Sequence, residues 1–225
     1  MKEKKVTAKR RGILVVDDHP LFRKGVVQIL SQEPDLEVRA EAESSPQALE
    51  ALRRTPVDLA IVDIGLHGST NGIELTKSIK AEHPELPVLV LSMHDETLYA
   101  DRALRAGARG YLMKREALDS VITAVRSVLN GEIYLSHAMS RRMIADHVSD
   151  KGKSRTAIER LTDRELEVLT LIGGGREVRE IAAMLNLSFK TIEAHRAHIK
   201  EKLGLENARQ VARFANEWVR SQQPA

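Results

Sequence analysis

Cysteine is missing from all 225 residues. Its absence removes disulfides, thiolate zinc sites and thiol nucleophiles together, and makes the reducing cytoplasm the compartment that asks least of the chain. Aromatic residues make up 3%, so the cores must be aliphatic and a platform that stacks nucleic-acid bases on aromatic rings is not expected. Nowhere do about 18 apolar residues run without charge, the length a bilayer-spanning helix needs. No membrane partner is therefore expected. The basic opening MKEKKVTAKRRG is followed only by Ile13 to Val16 before Asp17 and Asp18 interrupt the apolar run, which is too short for a secretion signal. Internal repeats and low-complexity tracts are also lacking.

What remains is an ordinary globular composition, 42% hydrophobic and 30% charged, on a chain too long for one average domain. Charge is unevenly spread. Residues 1–11 carry six Lys and Arg against one Glu, residues 12–150 carry 15 against 21 acids, and residues 151–225 carry 14 against 10. An acidic body is thus joined to a basic C-terminal unit, a balance suited to a polyanionic partner.

From residue 12 to 130 short β-branched runs alternate with helical patterns. Strands are expected at Ile13–Val16, Val38–Ala42, Leu59–Val62, Val88–Ser92 and Gly110–Met113. ILVV, LAIV and VLVL are continuously apolar, as strands covered on both faces by helices should be. The expected product is an α/β doubly wound, five-stranded parallel sheet. Ser45 and Pro46 predict the N-cap and first turn of the second helix, and Gly107 the end of the fourth. A helix over His137 to Val148 and the polar stretch SDKGKSRTAIER mark a linker. Beyond Leu161 the pattern is all helix, with starts at Thr162, Glu177, Ser188 and Asn207. Thr162 with Glu165 makes a capping box, and Ser188 is a good N-cap.

Open parallel sheets place their chemistry outside the carboxyl ends of the strands. Here Asp17 and Asp18 follow the first strand, Asp63 ends the third, Ser92 the fourth, and Lys114 follows the fifth. Three carboxylates brought together raise one another's pKa unless a cation neutralises them. That many hard oxygen donors suit Mg²⁺, which keeps water ligands and accepts a phosphoryl oxygen.

On the stretches VVDDHP, AIVDIGL, VLVLSMHD and GARGYLMK, residues 12–132 resemble the CheY-like receiver domain of two-component response regulators. The resemblance implies that Asp63 accepts phosphate from a phosphohistidine on a sensor histidine kinase, and that Asp17 and Asp18 hold Mg²⁺ together with Asp63. It further implies that Lys114 pairs with phosphoryl oxygens, that Ser92 donates to them, and that Tyr111 is the aromatic switch that turns inward as Ser92 moves. Two features depart from the pattern: His67 stands where proline is usual, and Gly72 arrives one residue late. A solvated loop histidine is the expected reading of His67.

Residues 159–222, through LTDRELEVLTLIGGGREVREIAAMLNLSFKTIEAHRAHIKEKLGL, resemble the LuxR-type helix-turn-helix of the NarL/FixJ response regulators, leaving 133–158 as linker. Ile181, Leu185 and Leu187 are apolar across a turn at Asn186, and Ile192, Ile199 and Leu203 form the buried stripe of the third helix. The opposite face is free to enter a major groove of double-stranded DNA. Ser188 with the first-turn amides, Lys190, Thr191, Arg196 and Lys200 are expected at phosphates. Glu193, Ala194 and Ala197 face outward, with Glu193 suited to a cytosine amino group and Ala194 to a thymine methyl. His195 and His198 lack a third ligand nearby and are expected in packing or DNA contact. Gly173 to Gly175 reads as a helix stop, and Glu177 as a weak cap. The last helix presents Val211, Phe214, Ala215, Trp218 and Val219, part of which must cover the core. The family resemblance implies a dimer contact there, consistent with two half-sites.

A hydrolase of the haloacid dehalogenase type also carries a nucleophilic aspartate after a strand, but needs a second carboxylate two residues on, where this chain has Gly65. A receiver used only for docking would not require the acid pocket and Lys114. A quorum-sensing receptor shares the DNA reader but not the aspartate and lysine strand ends. The expectation is a phosphorylation-controlled transcription regulator and not an enzyme acting on an external substrate.

Overall fold

The computed structural model of the chain describes residues 10–66, 70–93, 96–148 and 157–221, with 146–148 as backbone only. His67 and most of the polar linker lie outside the described residues. The described chain divides into two compact units, the first ending at Met143 and the second beginning at Ile144.

The first unit alternates strand and helix: β1 (Arg11–Val16), α1 (Pro20–Ser31), β2 (Leu36–Ala42), α2 (Ser45–Arg54), β3 (Leu59–Asp63), α3 (Gly72–Glu82), β4 (Val88–Ser92), α4 (Glu96–Arg105), β5 (Gly110–Met113) and α5 (Ala117–Leu129). All neighbours pair in parallel in the order β2-β1-β3-β4-β5. The apolar strands β1, β3 and β4 are interior, which explains why they do not alternate. The edge strand β2 is mostly part-exposed, and it is longer than its apolar residues alone predict. Ile13, Val15, Leu59, Ile61, Leu89 and Leu91 meet Leu30, Val121 and Val125 of α1 and α5 in an aliphatic core.

Helix ends follow local chemistry with one correction. The N-cap of α2 is Ser44, not Ser45; Pro46 occupies the second helical position, where its missing N–H still costs nothing. Ser45 instead turns its hydroxyl to the carbonyl of Thr70 at 3.2 Å. Gly107 takes φ +101° after α4, the left-handed conformation that favours glycine.

Beyond α5 the chain stays on the sheet. Tyr134 forms a parallel bridge with Gly110, and the helix α6 (His137–Val148) follows. Thus the first residues of the stretch read as linker belong to the first unit.

The second unit holds α7 (Asp163–Gly173), α8 (Val178–Met184), α9 (Phe189–Lys202) and α10 (Ala208–Ser221). Thr162 and Glu165 form the full capping box. At α8 the Glu177 amide is answered by Glu180 at 2.8 Å. Ser188 accepts from the Thr191 amide and Asn207 from the Gln210 amide, each at 3.0 Å. Asn186 turns the chain between α8 and α9 with φ +49°, a conformation asparagine tolerates better than most side chains. Leu166, Leu169, Ile181, Ile192, Ile199, Val211 and Ala215 are buried; Leu203 is half-buried.

Candidate functional site

Parallel register brings the acidic residues to one edge. Asp63 pairs with Leu91, and Ser92 with Met113, so β4 ends one residue beyond β3, β5 ends level with β4, and Lys114 follows one residue past both. Asp63, Ser92 and Lys114 therefore occupy successive positions at the carboxyl edge. Lys114 opens a 3-10 turn directly after β5. Its ammonium lies 2.6 Å from Asp63 Oδ2 and 2.7 Å from Asp17 Oδ2. All three side chains are almost wholly withdrawn from solvent. The second oxygen of Asp63 accepts from the Gly65 amide at 3.1 Å. Burial pushes the Asp63 carboxyl above its usual range; Lys114 opposes this and Asp17 adds to it.

Two neighbours were not singled out in the sequence. The His19 Nδ1 lies 2.7 Å from Asp18 Oδ1, 3.4 Å from Asp17 Oδ1 and 3.9 Å from Asp63 Oδ2. The ligating atoms of Asp17, Asp18, His19 and Asp63 fall within 4.8 Å of one another. Phe22, on α1, places its ring 4.5 Å from the Lys114 ammonium, a cation–π contact that confines the lysine. Both residues follow Asp17 and Asp18 at the entrance to α1, a proximity that would have identified them. Ser92 is fully buried, and Tyr111 is 1% exposed: the ring sits inside the fold, not half out on a strand surface.

On the second unit, α9 buries Ile192 and Ile199 and turns the other face outward. Ser188, Lys190, Ala194 and Ala197 are exposed, while Thr191, Glu193, Arg196 and Lys200 are part-exposed. Glu193 and Arg196 form an ion pair at 2.6 Å, so the residue expected at bases and the one expected at phosphates restrain each other. Phe189, 52% exposed at the leading end of α9, joins this face and was not singled out in the sequence. Of the two histidines, His195 is half-buried, and burial together with Arg164 lowers its pKa. His198 lies 3.7 Å from Glu165. Neither belongs to a metal-ligating group among the described residues.

Comparison with known proteins agrees with both halves. Residues 13–126 match the family described as response regulator receiver domain, and residues 159–215 that described as bacterial regulatory proteins, luxR family. The chain is 34% identical to the transcriptional regulatory protein DegU of Brevibacillus brevis, covering 92% of this chain and 94% of that one. It is 33% identical to the oxygen regulatory protein NreC of Staphylococcus aureus strain JH9, over 90% and 95% of the two chains. Among solved structures, Salmonella typhimurium RcsB response regulator matches with TM-score 0.68 and 27% identity over 93% of this chain and 98% of that one. RcsB of Salmonella enterica serovar Typhimurium, bound to promoter P1flhDC in the presence of the phosphomimetic BeF3⁻, matches with TM-score 0.64 and 27% identity, covering 93% and 100%. With a five-stranded receiver, a LuxR-type helix-turn-helix and relatives aligned along nearly its whole length, the chain belongs to the NarL/FixJ family of two-component response regulators that control transcription.

Proposed function

We propose that Asp63 is the phosphoacceptor, and that its phosphorylation by a sensor histidine kinase in the cytoplasm governs how the second unit binds double-stranded DNA. The observation that carries this reading is Lys114 bridging Asp63 and Asp17 at 2.6 and 2.7 Å at the carboxyl edge of a parallel sheet. A carboxylate oxygen of Asp63 forms the new P–O bond while the P–N bond to the kinase imidazole breaks, and the bonding pair stays on the ring nitrogen. Lys114 then follows the negative charge from the carboxylate to the phosphoryl oxygens. Ser92 donates its hydroxyl hydrogen to another phosphoryl oxygen, and Tyr111 holds the inward position that accompanies this movement.

The donor set fits a hard divalent cation. Three carboxylates against one ammonium leave a formal excess of two negative charges, and burial already opposes ionisation of Asp63. Asp17, Asp18 and Asp63 would hold Mg²⁺. Bound there, the ion supplies the positive charge that keeps Asp63 ionised and offsets charge on the transferring phosphoryl group. The protein assists only its own phosphorylation and dephosphorylation.

On the DNA side, Ser188, Lys190, Thr191, Arg196 and Lys200 serve as phosphate contacts, and Glu193, Ala194 and Ala197 face base edges. One reading helix yields little affinity, so two copies bind two half-sites as a dimer. Support comes from the relative RcsB, whose structures include DNA complexes and two dimers bound to two parallel DNAs.

The test is incubation with Mg²⁺ and a small acyl-phosphate donor, read on a phosphate-affinity gel. Wild type should be retarded and Asp63→Asn should not. Equal mobility of the two would overturn the assignment.

A further inference from the structure

We infer that Glu96 is a positioning residue that anchors the start of α6 to the receiver and carries movement at the end of β4 into that helix, an inference that rests on the phosphorylation reading. Glu96 is the first residue of α4 and follows Ser92 by four positions. It is a carboxylate with 8% exposure. Its Oε1 accepts a hydrogen bond from the Ser136 amide at 2.8 Å, across 40 residues of sequence.

Ser136 immediately precedes α6 and caps it. Its hydroxyl accepts from the Met139 amide at 3.1 Å and its carbonyl from the Ser140 amide at 2.9 Å. In a capping box the acid three residues into the helix reaches back to the N-cap amide. Here that position is Met139, which is 4% exposed and packed inside. Glu96 of another helix answers the amide that Met139 cannot. A single carboxylate thus lies in the first turn of α4 and at the N-cap amide of α6. Both helix termini favour negative charge.

The residues just before Ser136 pair along β5. The Tyr134 amide donates to the Arg109 carbonyl at 3.0 Å, and the Tyr111 amide donates to the Tyr134 carbonyl at 2.9 Å. Residues 134–136 therefore form a short strap on the outer edge of β5. One of its bonds comes from Tyr111 and another ends on Glu96. Ser92, proposed to donate to the phosphoryl group, precedes Glu96 by four residues, and Tyr111, proposed as the switch residue, is joined to the strap by one hydrogen bond. Along the sequence α6 spans the division between the two units at Met143 and Ile144.

The experiment is hydrogen–deuterium exchange on the full chain, with and without Mg²⁺ and the acyl-phosphate donor, for wild type, Glu96→Ala and Glu96→Gln. Glutamine keeps an acceptor oxygen at the same reach. Without donor, amides in residues 136–140 of Glu96→Ala should exchange about tenfold faster than wild type, the scale of losing one charge-assisted hydrogen bond. Glu96→Gln should stay near wild type, and β1 and β3 should be unchanged in both. With donor, wild type should alter its exchange in this segment while Glu96→Ala, equally phosphorylated on the gel, should not respond. Exchange in Glu96→Ala that matches wild type without donor overturns the anchor. A response to donor as large as that of wild type overturns the coupling. Failure of wild type to take up phosphate overturns the phosphorylation reading and the coupling with it, while the donor-free comparison still decides the anchor.

Discussion

Lys114 sits between two buried carboxylates, Asp17 and Asp63, and the charge balance around it sets what substitutions do. Removing one partner from a buried pair leaves uncompensated charge and typically costs about 3–5 kcal/mol. Lys114→Met should therefore lower stability in metal-free buffer by a few kcal/mol, roughly the lower half of that range, with Mg²⁺ restoring part of it; urea unfolding checks both. Asp63→Asn acts in the opposite sense. The Asp63 carboxyl titrates above its ordinary value in the folded chain, chiefly because it is buried. Its contribution to stability is thus full below the unfolded pKa and is lost as pH rises through the folded one. At neutral pH the ionised group is a cost, so Asp63→Asn should raise the melting temperature without Mg²⁺, and the gain should shrink when Mg²⁺ is added. A lower melting temperature under both conditions would refute this account.

Glu165 shows the reverse sign. Burial pushes its pKa up, but Lys202 at 2.6 Å and the Thr162 amide at 2.8 Å outweigh burial and leave it below the usual range. Its contribution is present above the unfolded value and lost as pH falls through the folded one. Stability of the second unit should decline as pH drops below about 4.3, the ordinary Glu value. Glu165→Gln should flatten that slope when unfolding is followed by Trp218, the only tryptophan.

Among elements, close approach matters more than propensity. A Cβ on Gly72 would lie 1.9 Å from the Asp63 carbonyl oxygen, so the start of α3 packs directly on the residue proposed as phosphoacceptor. The glycine that reads in the sequence as late in its loop is the one that permits this approach. In the triplet at the end of α7, position decides what each glycine does. Gly175 has φ +78° and ends the helix, as its sequence position predicts. Gly173 instead makes room for a neighbouring helix: a Cβ there would meet the Ala215 carbonyl oxygen at 2.4 Å, whereas one on Gly174 would meet nothing closer than 3.5 Å. Gly173→Ala should force α10 away from α7 and destabilise the second unit by about 1–3 kcal/mol, the scale of overpacking. Gly174→Ala should be near neutral. Equal midpoints for these two variants in urea unfolding would contradict the packing argument.

For the molecule as a whole, the separation of charge gives the clearest test. The basic C-terminal unit presents Lys190, Arg196 and Lys200 on or beside the outer face of α9, and each phosphate neutralised releases counterions. Affinity for a duplex obtained by selection from a random library should fall steeply with salt. Lys190→Ala or Lys200→Ala should reduce the log–log slope by about 1 for each phosphate no longer neutralised, while weakening all sequences alike. A slope indifferent to both substitutions would remove these lysines from the phosphate set.

Sequence by itself determined the elements and their order. Apolar runs marked β1, β3 and β4, Thr162, Ser188 and Asn207 marked helix starts, and strand ends carried Asp17, Asp63, Ser92 and Lys114. These signals are local: periodicity, caps and strand termini act over a few residues and survive without knowledge of the partner. Only the tertiary structure decided which side chains meet. Lys114 reaches Asp63 and Asp17, His19 and Phe22 close around them, Gly173 receives Ala215, and Glu96 holds Ser136. Most of these contacts join separate elements. Their distances depend on strand register and helix packing, which no local pattern encodes.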